Sequence, residues 1–408
     1  MLLRAAITTP HSSSSPGFAS CASMEASGKR TRGEGSSARD QLSDLPDAVL
    51  NSILSFLKAR QVVQTSVLSR RWRSLWRSVP CLDVDQKEFQ SSPALFSQRE
   101  LEKFEDFGDF LLTRHEGSVL DAFRLHISEI DSSNIDVGRW IRRALTCSLR
   151  ALHIHSDSIC VVKMPQNWGY SSRSLTRLHF RGISLDETFE EVINTVCVVL
   201  EDLELKECMI YFDKITSTSL RNLIMDGGYI DNNQLIITAS HLASLQLILS
   251  DTSFQISVNE LLSLIQASIR FDVIYLGVID RKAQHKLLSN LFNATSLELS
   301  GFLKMILSDV EFPTFKNLRT LLLDKCDFSD NFQLLHHFVH NSPNLEKLTV
   351  RCCKLPNGSA GGERRAKLKK LKSIEIIYKD GDDILELISV LLKILDRELK
   401  NTIILTKV

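Results

Sequence analysis

The chain has 408 residues, of which 43% are hydrophobic, 24% charged and 7% aromatic. This composition is typical of a folded globular protein and excludes the collagen-like and coiled-coil classes, and the length suggests two or three domains or one long repeat array. Lysine and arginine number 49 and aspartate and glutamate also number 49, so the net charge is zero. A zero net charge argues against a protein whose whole surface binds nucleic acid.

Residues 1–40 contain nine serines, four glycines and few large apolar side chains. Such a segment cannot bury enough surface to offset the entropy of ordering, which predicts a disordered, serine-rich tail. Residues 1–24 lack acidic side chains and carry Arg4, as transit peptides do, whereas Met24 offers an alternative start. The sequence leaves both interpretations open.

Residues 41–80 predict three short helices: one after Pro46, one over 60–68 and one over 69–76. A unit of this size is at the lower limit for independent folding. It nevertheless contains two tryptophans and about ten aliphatic side chains, so part of this surface must be buried against the rest of the chain or against a partner.

The first of these helices carries two apolar stripes. Val49, Ile53 and Leu57 lie on one, and Leu50 and Leu54 lie on the other. The pattern does not say which stripe faces inward. Six basic and two acidic residues give the segment a net charge of 6 − 2 = +4, which favours an acidic partner.

Downstream of Pro80 the sequence repeats the template apolar-x-x-apolar-x-apolar, which predicts a short strand with alternating inward side chains. From Leu149 to Leu371, nine steps cover 222 residues, about 25 per step, within the range of leucine-rich repeats. Copies of the template begin at Leu149, Leu175, Leu200, Leu220, Leu242, Leu318, Leu345 and Leu371, with weaker copies at Leu120, Phe271 and Ala294.

Three cysteines occupy the same phase of this repeat. Cys208, Cys326 and Cys353 each lie three residues after the last apolar position of their copy, where a small polar side chain can bond to the turning backbone. Two of the intervening segments, 189–196 and 258–265, have apolar residues at helical spacing. A stack of strand and helix per repeat predicts a curved solenoid, while a doubly wound parallel sheet is the alternative.

The order LSDLPD…ILSFL…TSVLSRRWRSLW in residues 41–80 resembles the F-box of plant F-box/leucine-rich-repeat proteins. The resemblance implies an α/β chain in which a three-helix F-box (41–80) precedes a leucine-rich-repeat solenoid (81–408), a curved horseshoe with its strands on the concave face. The segment from Ile377 to Asp383 is similar to a C-terminal extension of such proteins, which makes 365–408 a possible truncated copy of it.

The resemblance also implies a role. The F-box of this family docks onto an acidic Skp-family adaptor held on a cullin scaffold, and the repeats recruit a protein substrate for ubiquitination. Such a chain is a non-catalytic receptor subunit. By position in the motif, the implied adaptor contacts are Leu45, Pro46, Leu50, Ile53, Leu54, Val67, Leu68, Trp72, Leu75 and Trp76.

Polar side chains between the inward positions of each strand copy are expected on the concave surface. The residues at these positions are basic at the start of the array, acidic in the next copy and more apolar at its centre. This pattern either recognises a segment of the substrate or is an ordinary solvated surface. The predicted substrate contacts are His155, Arg177, His179, Arg181, Asp202, Glu204, Tyr275, Lys347 and Arg351.

No cofactor, metal or catalytic site is expected. The nine cysteines are odd in number and form no Cys-x-x-Cys pair, which favours a reducing compartment over a disulfide or zinc framework. The spacing of His336 and His340 resembles that of a metalloprotease helix, but His337 occupies the place of the required acid. We interpret these histidines as part of an ordinary repeat helix, and the basic run 364–372 as a solvated loop or a nuclear-localisation patch.

The leading hypothesis is therefore a substrate receptor of an SCF-type ubiquitin ligase in the nucleus, the cytoplasm or both. No apolar run reaches the roughly 18 residues of a membrane span, and neither a membrane nor a nucleic acid is an expected partner. The alternative is a leucine-rich-repeat scaffold or interaction protein without a ligase role, whose F-box helices only cap the solenoid.

Overall fold

The structure is a computed structural model. It describes residues 44–91, 97–128, 137–160, 168, 173–231, 234–249, 255–259, 261–272, 281–302, 312–330, 332–355, 370–379, 384–394 and 402–407. The predicted tail over 1–40 and the basic run up to residue 369 lie outside these ranges. The described residues divide into two units at Leu45 and Pro46, and the larger, 46–408, contains the elements below.

The larger unit begins with helices and continues mainly as strands. Its helices are α1 (Asp47–Leu54), α2 (Ala59–Gln64), α3 (Trp72–Leu75), α4 (Gln98–Arg114), α5 (Val137–Leu145), α6 (Glu187–Glu191), α7 (Arg281–Ser289), α8 (Gln333–Asn341) and α9 (Ile384–Ile394). Its strands are β1 (Cys81–Asp85), β2 (Ala122–Ile127), β3 (Ala151–Cys160), β4 (Arg177–Leu185), β5 (Asp202–Lys206), β6 (Met209–Ile210), β7 (Lys214–Thr216), β8 (Asn222–Asp226), β9 (Tyr229–Ile230), β10 (Gln234–Thr238), β11 (Ser244–Leu249), β12 (Gln255–Asn259), β13 (Gln266–Phe271), β14 (Ser296–Ser300), β15 (Thr320–Asp324), β16 (Lys347–Arg351), β17 (Ser373–Tyr378) and β18 (Thr402–Lys407).

One large parallel sheet dominates the fold. Its strands follow the order β1-β2-β3-β4-β5-β8-β11-β13-β14-β15-β16-β17-β18, while β6 and β9 extend it beside β4. A second parallel sheet has the order β12-β10-β7. The structure is thus a mixed α/β fold in which a helical N-terminal segment precedes a large parallel sheet.

The register of the sheet aligns the apolar positions of successive repeats. Leu203 pairs with Leu178 on one side and with Leu223 on the other, and all three side chains are buried. Because side chains alternate between the two faces of a strand, this alignment forms continuous apolar rows on one face and polar rows on the other. The polar rows are the surface on which a site can form.

The three cysteines of the repeat bond to the backbone as predicted. The Sγ atom of Cys326 lies 3.6 Å from the carbonyl oxygen of Leu299 in the preceding strand and 3.4 Å from that of Asp324 in its own. Cys208 and Cys353 make the same pair of contacts. The residue before each of the three cysteines has a φ between +47° and +51°. The backbone therefore turns at the point where the thiol bonds to carbonyl groups of two strands.

Two details of the predicted repeat were wrong. The copy placed at Phe271 is instead the strand β13, whose inward residues are Ala267 and Ile269. Ala267 is too small to be recognised in a pattern of large apolar residues. The helix predicted over 258–265 is wrong too, because 255–259 form the strand β12, with Ile256 and Val258 buried at a spacing of two.

The helix predicted over 189–196 is confirmed as α6 followed by a π-helical turn, Val192–Val196. In α8, Leu334, Leu335, Phe338 and Val339 are all buried, as expected for an ordinary helix of the repeat. Among the described residues, no helix is both long and apolar enough to cross a membrane.

The helical segment from Pro46 to Pro80 closes the β1 end of the main sheet. As predicted, α1 begins directly after Pro46, and short 3-10 turns extend α2 and α3. Trp76 is 4% exposed and stacks on Phe110 of α4 with ring centroids 5.4 Å apart. Lys58 forms ion pairs with Asp83 and Asp85 of β1, at 2.9 and 3.3 Å. These ion pairs hold the helical segment against the terminal strand of the sheet.

Candidate functional site

The segment from Pro46 to Pro80 exposes several large apolar side chains to solvent, and we call this set of residues the docking face. Phe56 is 89% exposed, Val67 85% and Leu68 64%. Single exposed apolar residues are ordinary, but several within 20 residues of sequence indicate a surface for a partner. The docking face consists of Val49, Ile53, Phe56, Leu57, Val67 and Leu68.

The predicted adaptor contacts fall into two groups. Half of them are buried in the core of the segment and cannot touch a partner without rearrangement: Leu50, Leu54, Trp72, Leu75 and Trp76. The others are exposed or half-buried: Leu45, Pro46, Ile53, Val67 and Leu68. The two apolar stripes of α1 therefore differ in burial. Leu50 and Leu54 face inward, while Val49 and Ile53 face solvent.

Three of the six basic residues of this segment form ion pairs with carboxylates in the described part of the chain. Besides Lys58, Arg71 pairs with Asp47 at 2.5 Å and Arg77 pairs with Glu116 at 2.8 Å. The net charge of +4 thus overstates the attraction for an acidic partner. The apolar docking face carries the stronger argument for binding.

A second candidate surface lies on the polar face of the main sheet, where four histidines occupy three adjacent strands. In one row, His126 of β2 pairs in register with His155 of β3, and their rings stack with centroids 4.6 Å apart. In the next row, His153 and His179 are neighbours at 4.4 Å. We call these four residues the histidine cluster.

His126 is held between two carboxylates. Its Nδ1 lies 3.3 Å from Asp85 Oδ1, and its Nε2 lies 2.9 Å from Asp157 Oδ1. The hydrogen bond to Asp85, supported by Asp157, raises the pKa of His126 although partial burial opposes this. Burial also opposes ionisation of Asp85, but hydrogen bonds from His126 and from the Lys87 backbone lower the pKa of its carboxyl group.

The other histidines of the cluster favour the neutral form. Burial lowers the pKa of His153 to about 4, and the positive charges of His179 and Arg124 act in the same direction. Burial lowers the pKa of His155 as well, with a contribution from His126. Neutral imidazoles keep a lone pair for hydrogen bonds or a ligand, so the cluster presents acceptors as well as donors.

A shallow cavity of about 330 Å³ opens over the cluster. Cationic side chains from both of its sides reach this cavity, including Lys58, Arg124 and Lys206. Asp83 and Glu204 supply the opposite charge. The cavity suits a polar or charged segment of a partner rather than an apolar ligand.

The predicted substrate contacts are spread along the polar face. His155, His179, Arg181 and Glu204 line the cavity. Arg177 is exposed beside it, and Asp202 bonds to Asn222. The remaining two lie several strands away, where Lys347 pairs with Glu375 at 2.9 Å and Arg351 pairs with Asp324 at 2.9 Å. Tyr275 lies outside the described residues.

Sequence reasoning missed His126, Arg124 and Asp157. The strand copy beginning at Leu120 was recognised, so reading its outward positions would have identified Arg124 and His126. Asp157 lies beyond the six-residue template, on an extension of β3, and carries no comparable signal. Phe56 was missed as well, because it follows the helical stripes of α1.

Comparisons with known proteins bear on both surfaces. Residues 42–83 match the F-box domain family. The chain is similar to a rice (Oryza sativa subsp. japonica) meiotic F-box protein, MOF, at 32% identity over 87% of this chain and 83% of the relative. F-box/LRR-repeat protein 13 of Arabidopsis thaliana is 28% identical over 79% of each chain. An F-box/FBD/LRR-repeat protein of Arabidopsis thaliana is 28% identical over 76% of this chain and 78% of its own length.

Proposed function

Since the chain belongs to the plant F-box/leucine-rich-repeat protein family, we propose that it is the substrate-recognition subunit of an SCF-type cullin ubiquitin ligase. In this role the F-box binds a Skp-family adaptor, and the strand array recruits a protein for ubiquitination. The chain itself performs no chemistry. It raises the effective concentration of a substrate lysine near the charged conjugating enzyme.

The exposed docking face is the observation that carries this proposal. In the F-box segment, Leu50, Leu54 and Trp76 are buried in the core of the chain. Phe56 and Val67 are exposed to solvent. Burying an exposed side chain of this size contributes about 1.5–3 kcal/mol. A partner with an apolar groove would therefore gain affinity from each of them.

We further propose that the main sheet is a leucine-rich-repeat solenoid whose polar face recruits the substrate. The in-register apolar rows and the recurring cysteine bonds support this interpretation. In a solenoid each repeat is stabilised chiefly by its neighbours. Leu178→Ala in β4 should accelerate amide hydrogen exchange in β3 and β5 but not in β16, whereas equal acceleration in all three would contradict a solenoid.

The alternative, an interaction protein without a ligase role, is supported by the contact between the helical segment and β1. This contact uses Lys58, whereas Phe56, Val67 and Leu68 of the docking face are exposed to solvent. Capping the sheet and binding an adaptor would therefore depend on different residues of the segment. A deletion of the whole F-box would uncover Phe110, which stacks on Trp76, and would remove the Lys58 ion pairs from β1. Only surface substitutions can therefore separate the two functions.

Co-expression with a Skp-family adaptor, followed by co-purification, tests the proposal. Val67→Asp with Leu68→Asp should abolish recovery of the adaptor. The matched control is Val198→Asp with Val199→Asp, because Val198 is 55% and Val199 38% exposed outside the F-box. Leu45→Ala with Pro46→Ala should also abolish recovery. Full recovery with the docking-face variant would refute the adaptor role.

We propose the nucleus and the cytoplasm as the sites of action, in line with the reducing environment that free cysteines favour. Fluorescence microscopy of the tagged full-length chain tests this, and accumulation in the secretory pathway would contradict it.

A further inference from the structure

We propose that His126, His155 and Asp157 form a binding site for a divalent transition-metal ion such as Zn²⁺. The three side chains belong to two adjacent parallel strands and lie on the same face of the sheet. One potential ligand atom from each residue lies within 4.8 Å of the other two. Two imidazoles and one carboxylate are ligands that zinc and related ions favour.

The distances suit a single ion. Asp157 Oδ1 lies 2.9 Å from His126 Nε2 and 3.6 Å from His155 Nε2. Ligand atoms on a tetrahedral zinc ion are about 3.4 Å apart, given metal–ligand bonds of about 2.1 Å. The Asp157 oxygen thus already lies at metal-bridging separations from both imidazoles. The third pair is His126 and His155, whose ligand atoms lie within 4.8 Å of each other. A relative shift of the two rings by about 1 Å would bring this pair to the separation that a tetrahedral ion needs.

Neighbouring groups orient the ligands. Asp85 accepts from Nδ1–H of His126, so Nε2, which donates to Asp157 Oδ1, is the nitrogen that the ion would bind in place of its proton. The Nζ atom of Lys87 lies 2.7 Å from Asp157 Oδ2, which leaves Oδ1 facing the histidines. A carboxylate behind the histidine and a fixed carboxylate ligand are the supporting contacts that metal sites in proteins use.

The exposure and charge of the proposed site indicate which further ligand the ion would bind. The side chains of His126, His155 and Asp157 are 19%, 40% and 31% exposed, so an ion can enter from solvent. Lys58 and Lys87 balance the two carboxylates, and a divalent ion would make this patch positive. Three protein ligands leave a coordination position open. If the sheet recruits a substrate as proposed above, an acidic side chain or an imidazole of that substrate suits the open position.

The test is a metal titration of the full chain, freed of affinity tags and stripped with a chelator. Co²⁺ is followed by its visible absorption and Zn²⁺ by calorimetry. We expect one equivalent of each ion to bind to the wild type. Asp85→Asn should weaken binding about 10- to 100-fold through loss of orientation, and His126→Ala or Asp157→Asn should weaken it further.

His153→Ala and His179→Ala are the matched controls, since they remove the neighbouring histidine pair and leave the three ligands in place. They should bind the ion as the wild type does, and circular dichroism should confirm that every variant is folded. Failure of the wild type to bind an equivalent overturns the site. So does unchanged affinity in folded His126→Ala and Asp157→Asn chains. The adaptor assay above is independent of this result, so the two proposals fail separately.

Discussion

Cys352 and Cys353 are adjacent in the chain but differ in exposure. Cys353 is 8% exposed, and its Sγ lies 3.5 Å from the carbonyl oxygen of Leu323 in the preceding strand. Burial raises the pKa of the Cys353 thiol, whereas Cys352 is only partly buried. The thiolate is the reactive species, so the two positions should respond differently to an alkylating reagent.

We predict that iodoacetamide modifies Cys352 of the native chain well before Cys353. Tandem mass spectrometry of time points resolves the two sites, and a chain unfolded in guanidinium serves as the control in which both react. Equal native rates would mean that the cysteine bonds between strands do not form.

His115 couples pH to stability. It is 6% exposed, and its Nε2–H donates to the carbonyl oxygen of Val79 at 3.1 Å. Burial lowers the pKa of His115, with Arg143 adding to the effect, although the bond to Val79 partly opposes it. Below a pH of about 6.5 the unfolded chain takes up a proton at this residue that the folded chain resists, so stability is lost as pH falls.

Denaturant unfolding at several pH values between about 7 and 5 tests this coupling. The free energy of unfolding should fall with pH less steeply for His115→Gln than for the wild type. His340→Gln, at an exposed position of α8, should follow the wild-type curve. An identical slope for His115→Gln and the wild type would exclude a contribution from His115.

At the scale of elements, α4 and α5 pack through a glycine. A Cβ atom at Gly108 of α4 would overlap the indole ring of Trp140 in α5, which is 1% exposed and donates from Nε1 to Asp109 at 2.8 Å. Alanine would gain about 1 kcal/mol in helix propensity. Overpacking against a fixed ring costs about 1–3 kcal/mol, so the clash decides the sign.

Gly108→Ala should therefore lower the free energy of unfolding by up to roughly 2 kcal/mol. Trp140→Phe makes room, and the double variant should lose less than the sum of the two single variants. Thermal or urea unfolding of the three proteins measures the coupling. A Gly108→Ala chain more stable than the wild type would show that α4 and α5 do not pack as described.

The helices and strands also show how much of the fold the sequence predicts. Large apolar residues at fixed spacing located strands such as β4 and β5, because each strand must bury two side chains in register with its neighbours. The same pattern failed at β13, where Ala267 fills an inward position. It could not rank the two stripes of α1, since both are apolar and packing against α3 and the turn that follows it buries only one. The pairing of His126 with Asp157 across strands depends on register, which no single segment encodes.

On the scale of the whole molecule, the chain presents two surfaces for which we propose different partners. The docking face lies on the F-box segment, and the histidine cluster lies on the polar face of the sheet. Because β1 joins the F-box core to the sheet, the two surfaces belong to one continuous structure. This arrangement suits a receptor that holds an adaptor and a substrate at the same time.

Amide hydrogen exchange of the full chain with and without a purified Skp-family adaptor tests the central claim most directly. The account predicts a complex in which exchange slows in peptides covering residues 47–68, while the strands β4 and β5 keep their rates. A chain that forms no complex, or a complex that leaves 47–68 unchanged, would contradict the account.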